Sequence, residues 1–476
     1  MLRAPTSLST TATDQVVIVT NGGAMPSPRV LASAAGLGAL GCVVAVAFLW
    51  LAESLQHLIF RELPAALGSP NVVPVWLIIG APLVGALLVS GAQRLPGRTG
   101  PGPLSGFHLD IGVDRIASVL LAALATICCG FALGPEAPLM AAGTAAASLL
   151  FVGARRRTIP GEPAEGAAAE PAEGAVGDST LPSPEKGQQQ RAAMALSGFG
   201  AIGTIFSNPL ISVFIALELA VVGQLPTVLV IPAFVALTSS FLVQQILVRS
   251  LDLQVVSLSL PGLPTYSAVT AMDLLWAAIA ALAASLCIVA TRSLGHRVAR
   301  WAHGSALSAL LVTAVVTSAA VLLVQAVIDG PIDLVLFSGQ SGLAPMLALT
   351  SVGALLLVLA AKALVHALAL GSGFRGGPIF PAVFLGATTG AVVAQLAGAS
   401  VTPLAVAAVA AGCTCALRLP LSSALLAALI AASAGATVAA PAAIGAVMGL
   451  IVVRMMDRSQ ASQTGTPHTA APAGRQ

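Results

Sequence analysis

Glu136 is the side chain in this sequence best placed to do chemistry. It stands in Gly134-Pro135-Glu136-Ala137-Pro138, with no Asp, Glu, Lys or Arg from Ile116 to Pro135 or from Ala137 to Ala154. An ionisable group so deep in apolar sequence is costly and usually functional. Gly-Pro interrupts a helix, and proline suits the first turn of the next one, so a helix is expected to begin just after Pro135. Helix N-termini expose unpaired N–H groups and carry a positive partial charge. The Glu136 carboxylate would then lie where an anion would lie, able to compete with it and to be neutralised by a proton. The alternative is a first-turn glutamate that satisfies a helix end, worth about 0.3–1 kcal/mol.

The motif has a twin in Gly377-Pro378-Ile379-Phe380-Pro381. Both read G-P-x-x-P-x-x-x-x-G, with Gly143 and Gly386 as the last glycines and an offset of 377 − 134 = 243. A second pair, Pro209-Leu210-Ile211-Ser212 and Pro420-Leu421-Ser422-Ser423, has an offset of 420 − 209 = 211. The offset falls by about the length of a polar insertion in the first half, so the halves stay in step without it. A duplicated transporter-like core is expected, with its site at matching helix breaks near the bilayer midplane. Gly100-Pro101-Gly102-Pro103 is a third candidate helix end. Converging helix ends hold an anion by dipoles and still release it, whereas a Lys or Arg would hold it tightly.

Other polar residues carry weaker signals. Glu218 is the only formal charge between Arg191 and Arg249. It reads equally as a proton-path carboxylate or as a buried glutamate bonded to nearby backbone. Lys362 and His366 share one helix face at i, i+4 and read as a structural polar pair. Thr204, Ser207 and Asn208 precede Pro209, where they can cap the next helix. Asp110, Asp114 and Arg115 read as a span boundary. The histidines, His57, His108, His296, His303, His366 and His468, are scattered without H-E-x-x-H. No enzyme, metal site or cofactor is expected.

The elements that position these residues follow from composition. Of 476 residues, 57% are apolar and 8% charged, with a mean hydropathy of +0.96. A soluble domain carries about 25% charged residues. Repeated charge-free intervals, such as those from Asp333 to Lys362 and from Arg375 to Arg418, are long enough to cross a bilayer. They must be helical because lipid leaves no partner for open backbone. The longer ones, with Gly and Pro inside, read as two helices or as broken ones. A net charge of +3 gives no reason to expect nucleic acid as a partner. The cysteines, Cys42, Cys128, Cys129, Cys287, Cys413 and Cys415, lie in apolar runs without C-x-x-C and read as buried, inert thiols.

Residues 1–29 read as a flexible tail before a first span at about Val30 to Trp50. Residues 30–153 and 191–250 make the first repeat, 251–457 the second, and 458–476 a polar tail. The stretch 154–190, rich in Ala, Pro, Glu and Gly, reads as a disordered loop. Arg155, Arg156 and Arg157 place that loop on the cytoplasmic side.

These motifs resemble the CLC family of chloride channels and proton-coupled exchangers. The G-[KR]-E-G-P signature is similar to Gly134-Pro135-Glu136-Ala137-Pro138, and G-x-F-x-P to Gly377-Pro378-Ile379-Phe380-Pro381. F-N-x-P-L with its following acids is similar to Phe206-Ser207-Asn208-Pro209-Leu210 through Glu218. The run Lys362 to Gly373 resembles K-x-x-x-x-x-x-L-G-S-G. The resemblance covers roughly Val30 to Met455. It implies an all-α fold of about 16 to 18 membrane helices in two inverted halves, and a homodimer with one pore per subunit, expected here in a bacterial plasma membrane. It makes Glu136 the gating glutamate. The implied anion site draws on Gly100, Pro101, Gly102, Gly134, Pro135, Ala137, Gly377, Ile379 and Phe380.

Departures from the family pattern carry information. In G-S-G-I-P the serine touches the central anion; Pro101 replaces it here, and a proline there is associated in the family with nitrate preference. Pro378 brings no N–H. The family's central tyrosine has no counterpart, since the only tyrosine is Tyr266. Fewer hydroxyl donors imply weaker anion binding. The exchangers' inner proton glutamate falls on Leu219, with Glu218 one residue before it. That favours passive conduction of chloride or nitrate over proton exchange through Glu218. Paired cytoplasmic nucleotide-binding modules are not expected.

Overall fold

The structure is a computed structural model that describes residues 25–69, 72–97, 99, 102–105, 115–157, 184–206, 208–251 and 258–464. The described chain is mostly helical, in the order α1 Pro28–His57, α2 Leu63–Ala66, α3 Val75–Ala92, α4 Ile116–Cys128, α5 Glu136–Arg157, α6 Pro184–Gly203, α7 Pro209–Val221 and α8 Val230–Leu251. The second half continues with α9 Ala271–Ala302, α10 Ala306–Ile328, α11 Leu343–Leu347, α12 Val352–Ser372, α13 Ile379–Ala397, α14 Val401–Leu417, α15 Pro420–Ile430 and α16 Ala439–Thr464. Among the described residues, eight helical spans are long and apolar enough to cross a bilayer. The protein is a multi-pass integral membrane protein.

Helix starts follow local chemistry. Ser27 accepts from the Val30 N–H at the head of α1, and Asn208 accepts from the Leu210 N–H at 2.9 Å at the head of α7. The cap of α7 is Asn208 and not Thr204, whose hydroxyl donates to the Ala201 carbonyl. Ser207 lies outside the described residues. Thr270 and Asp273 close a reciprocal capping box on α9. Proline opens α7 and α15, and the helices after Pro135 and Pro378 begin where the motifs place them.

Several element bounds differ from expectation. The first span runs continuously from Pro28 to Ala66, through a π turn at Leu58–Glu62, well past Trp50. The stretch expected as a loop over 154–190 is helical at both margins, because α5 extends to Arg157 and α6 begins at Pro184; residues 158–183 lie outside the described residues. Helix α16 likewise runs past Arg458 to Thr464. Those margins are rich in Arg, Glu, Gln, Lys and Ala, which are good helix formers once a neighbouring turn has nucleated the helix.

The core lies along α13 and α14. Most spans bury 39–50% of their apolar window inside the protein, but α13 buries 83%. A helix apolar all round is buried all round, so α13 is enclosed by protein rather than lipid. Its contact with α14 depends on glycine: a Cβ on Gly386 would come within 2.7 Å of the Val409 Cα. Small residues permit such close approach in membranes. Of the six cysteines, all free, Cys287 is half-buried and the others are buried.

Candidate functional site

Two broken helices meet at the centre of the fold. The Gly134 N–H donates to the Gly377 carbonyl at 2.8 Å, and the Gly377 N–H donates back to the Gly134 carbonyl at 2.7 Å. Three residues upstream, Phe131 and Phe374 stack with ring centroids 3.7 Å apart. Both pairs are separated by the same 243 residues (374 − 131 and 377 − 134). Residues related by the repeat thus exchange hydrogen bonds with each other in antiparallel sense. That arrangement requires a local two-fold axis between the halves, as an inverted duplication has. Extending the twin motif upstream to F-x-x-G-P would have revealed the aromatic pair.

Glu136 is the first residue of α5 and is 0% exposed. Its carboxylate crosses to the other half: Oε1 accepts from the Phe380 N–H at 2.9 Å, on the first turn of α13. The Ile379 amide and that of Glu136 itself lie against the same group. Oε2 is buried without a hydrogen-bond partner among the described residues. Pro378 precedes these donors and contributes none.

Gly134 and Gly377 were expected as anion-binding residues. Their amides are instead committed to each other, so they offer no donor to a ligand. Their role is space. A Cβ on Gly134 would stand 2.6 Å from the Glu136 Cδ, and one on Gly377 would stand 2.7 Å from it. Gly377→Ala is therefore expected to expel the carboxylate and fill its site with a methyl group. Anion flux should fall about tenfold or more, the equivalent of losing one charge-assisted contact, including in a Glu136→Gln background. Flux assays on vesicles carrying the single and double variants check this.

The Gly100 motif is only partly described. Gly100 and Pro101 lie outside the described residues. Gly102 leads into a 3-10 turn, Pro103–Ser105, and the next α-helix among the described residues is α4 at Ile116, with residues 106–114 lying outside them. Gly102 borders a cavity of about 540 Å³ that reaches Glu136, Ala137, Pro138, Gly377 and Pro378. Arg292 and Arg418 also border it, as does Arg375, whose N–H donates to the Thr126 hydroxyl and whose Nε donates to the Thr99 carbonyl at 2.7 Å.

Lys362 and His366, on α12, do not converge on a ligand. The buried Lys362 ammonium donates to the carbonyls of Val335, Leu336 and Phe337. The His366 Nδ1 donates to the Ala132 carbonyl at 2.6 Å, two residues before Gly134. Both hold the segments that carry the site.

Glu218 is also fully engaged. From α7, its Oε1 accepts from the Leu421 N–H at 2.8 Å and its Oε2 from the Ser422 N–H at 2.7 Å, with the Ser422 hydroxyl donating to Oε2 as well. It caps the N-terminus of α15. This geometry is that of a buried glutamate bonded to backbone amides.

Comparison with known proteins places this geometry in a family. A family model described as "Voltage gated chloride channel" matches residues 102–454. The chain is 25% identical over 372 residues to the protein named ion-transport protein YfeO of Salmonella schwarzengrund, covering 74% of this chain and 77% of that protein. It is 26% identical over 377 residues to the Escherichia coli (strain 55989) protein of the same name, covering 75% and 77%. In structure it is similar to a slow cyanobacterial Cl−/H+ antiporter, with a TM-score of 0.68, 15% identity, and coverage of 92% of this chain and 100% of that one. It is also similar to a CLC-type fluoride/proton antiporter, with a TM-score of 0.64, 16% identity, and coverage of 90% and 98%. The extent of the family match, over a fold whose repeated Gly-Pro helix breaks meet at a buried glutamate, shows that the chain belongs to the voltage gated chloride channel (CLC) family.

Proposed function

We propose that this protein conducts small monovalent anions, chloride or nitrate, across a membrane, with Glu136 as the gate. The observation that carries this reading is the state of the Glu136 carboxylate. It is buried, bound through Oε1 to an amide at the start of α13, and unpartnered at Oε2 among the described residues. A carboxylate on helix-end amides occupies a position where an anion would be held by the same amides. An unpartnered buried oxygen costs about 1–3 kcal/mol, so departure of this side chain into the cavity relieves a penalty. The gate is thus held firmly enough to block and loosely enough to yield. Ile379, Phe380 and Ala137 surround the site, and Gly102 borders the approach.

Passive conduction is the favoured mode. A proton relay needs a carboxylate free to load and unload, and both oxygens of Glu218 are engaged by the head of α15. The second reading is anion/proton exchange through Glu218. It is supported by the burial of this carboxylate, 7% exposed, beside Leu219, which borders the cavity holding Glu136. Purified protein in chloride- or nitrate-loaded liposomes separates the two. Anion efflux and internal pH are recorded together, with and without valinomycin. Efflux without proton movement supports conduction; uphill proton movement driven by an anion gradient overturns it in favour of exchange. Absence of efflux removes both.

Glu218→Gln is expected to leave anion efflux within about twofold of wild type. Its effect should appear in stability, because loss of a helix cap costs about 0.5–2 kcal/mol. Thermal unfolding in detergent beside the flux assay checks both parts. Two copies are expected to assemble, each with its own pathway, in a bacterial plasma membrane, with the 154–190 stretch on the cytoplasmic side. Light scattering of the purified protein tests the stoichiometry.

A further inference from the structure

We infer that Arg375 is an anion-coordinating residue, a guanidinium station in the conduction path with a preference for a planar oxyanion such as nitrate over chloride. The inference rests on the conduction reading and adds a residue and a selectivity to it.

Placement comes first. Arg375 borders the cavity of about 540 Å³ that reaches Glu136, and it also borders a second cavity of about 500 Å³. Gly102, Pro103, Leu104 and His296 are common to both. Arg375 therefore stands in the wall where the two spaces adjoin, and an anion passing between them meets its charge. It lies in the second repeat at the position equivalent to Ala132 (375 − 132 = 243), two residues before the glycine of the central bridge. Glu136 lies two residues after the equivalent glycine in the first repeat. The duplicated core thus carries one acid and one base on opposite flanks of the bridge, and the same cavity reaches both.

Orientation comes next. The Arg375 N–H donates to the Thr126 hydroxyl at 3.1 Å, Nε donates to the Thr99 carbonyl at 2.7 Å, and Nη1 reaches the Phe374 carbonyl at 3.4 Å. The guanidinium is held in place before any ligand arrives, so binding an anion costs little ordering of the side chain. Low-dielectric walls focus the field of charged groups that border such a space. Thr99 is the only hydroxyl-bearing residue among the described residues bordering the first cavity, so neutral hydroxyl donors are scarce there. Arg292 and Arg418 border the same cavity and are likewise engaged, Arg292 with the Ala416 carbonyl and Arg418 with Asp457.

Selectivity follows from shape. A guanidinium is a planar fork that matches the two oxygens of a planar oxyanion, while an ammonium is a point charge. Arg375→Gln and Arg375→Lys therefore separate charge from shape.

The test is calorimetric titration of sodium nitrate and sodium chloride into the full chain in detergent, for wild type and both variants, with thermal unfolding and liposome flux in parallel. Arg375→Gln should raise the nitrate Kd at least about tenfold, the loss of one charge-assisted contact, and the chloride Kd by less. Arg375→Lys should keep chloride within about threefold of wild type and lose the nitrate advantage. The inference is overturned if Arg375→Gln binds both anions within about twofold of wild type. It is also overturned if both variants lose both anions equally with a lowered unfolding midpoint, since Arg375 would then only hold Thr99. Wild-type flux beside unchanged variant binding removes this inference alone; absence of wild-type flux removes the conduction reading and this inference with it.

Discussion

Glu136→Gln raises anion flux by about tenfold, equivalent to removing a competitor worth about 1.4 kcal/mol, and flattens its dependence on pH. Glutamine keeps the shape and still offers an oxygen to the Phe380 N–H, so packing around the site is preserved. What it loses is the negative charge that competes with the anion for the start of α13. In the wild type a falling pH increases the fraction of neutral side chain, so flux should rise as pH falls. The variant is neutral at every pH and should show flux that is high and level. The sign separates the gate from a structural glutamate: removing a helix-end contact that did nothing else would leave flux unchanged or lower it. Efflux from chloride-loaded liposomes across a pH series, wild type beside variant, is the measurement. Equal flux in the two proteins, or a preserved pH slope in the variant, removes Glu136 from gating.

Glu136 is legible in the sequence because formal charge is scarce there and because Gly-Pro marks the end of one helix and the start of another. The starts of α5 and α13 follow from the same logic, as does the pairing of the two motifs. The glycines are harder. Whether the Gly134 and Gly377 amides face a ligand or each other depends on a contact across 243 residues (377 − 134), and no local pattern encodes it. Their real contribution, the missing Cβ, can be seen only once the carboxylate is placed against them. Glu218 is ambiguous for a related reason. Its partners, the amides of Leu421 and Ser422, are backbone groups, and backbone leaves no signature by residue type. The margins of the 154–190 stretch differ from expectation because composition points to disorder while helix propensity wins there, with α5 and α6 supplying the turns from which helix propagates. Arg375 is hidden inside the motif it flanks. Its offset from Ala132 is visible in the sequence, but its position between two cavities is not.

Lys362→Met destabilises the protein by about 3 kcal/mol or more, since three carbonyls are stranded at about 1–3 kcal/mol each. Methionine matches the length of the lysine stem and suits an apolar core, so the cost is not one of volume. It arises at the ammonium, which donates to Val335 at 2.9 Å, Leu336 at 2.7 Å and Phe337 at 2.9 Å, with the Phe384 ring centroid 4.9 Å away. Water cannot replace those bonds at a residue that is 0% exposed. The damage should not stay local. Phe337, held at a left-handed φ of 58°, donates its N–H to the Gly130 carbonyl, and Gly130 precedes the Phe131 that stacks on Phe374. Releasing residues 335–337 therefore loosens the segment that carries Gly134 and Glu136. Stability and gating should fail together, with an unfolding midpoint lowered by several degrees and flux less sensitive to pH. Thermal unfolding in detergent and the efflux assay on the same preparation read both. A midpoint within about 2 °C of wild type would be too small for stranded buried carbonyls, and would mean that packing by the stem, not the ammonium, is what Lys362 supplies.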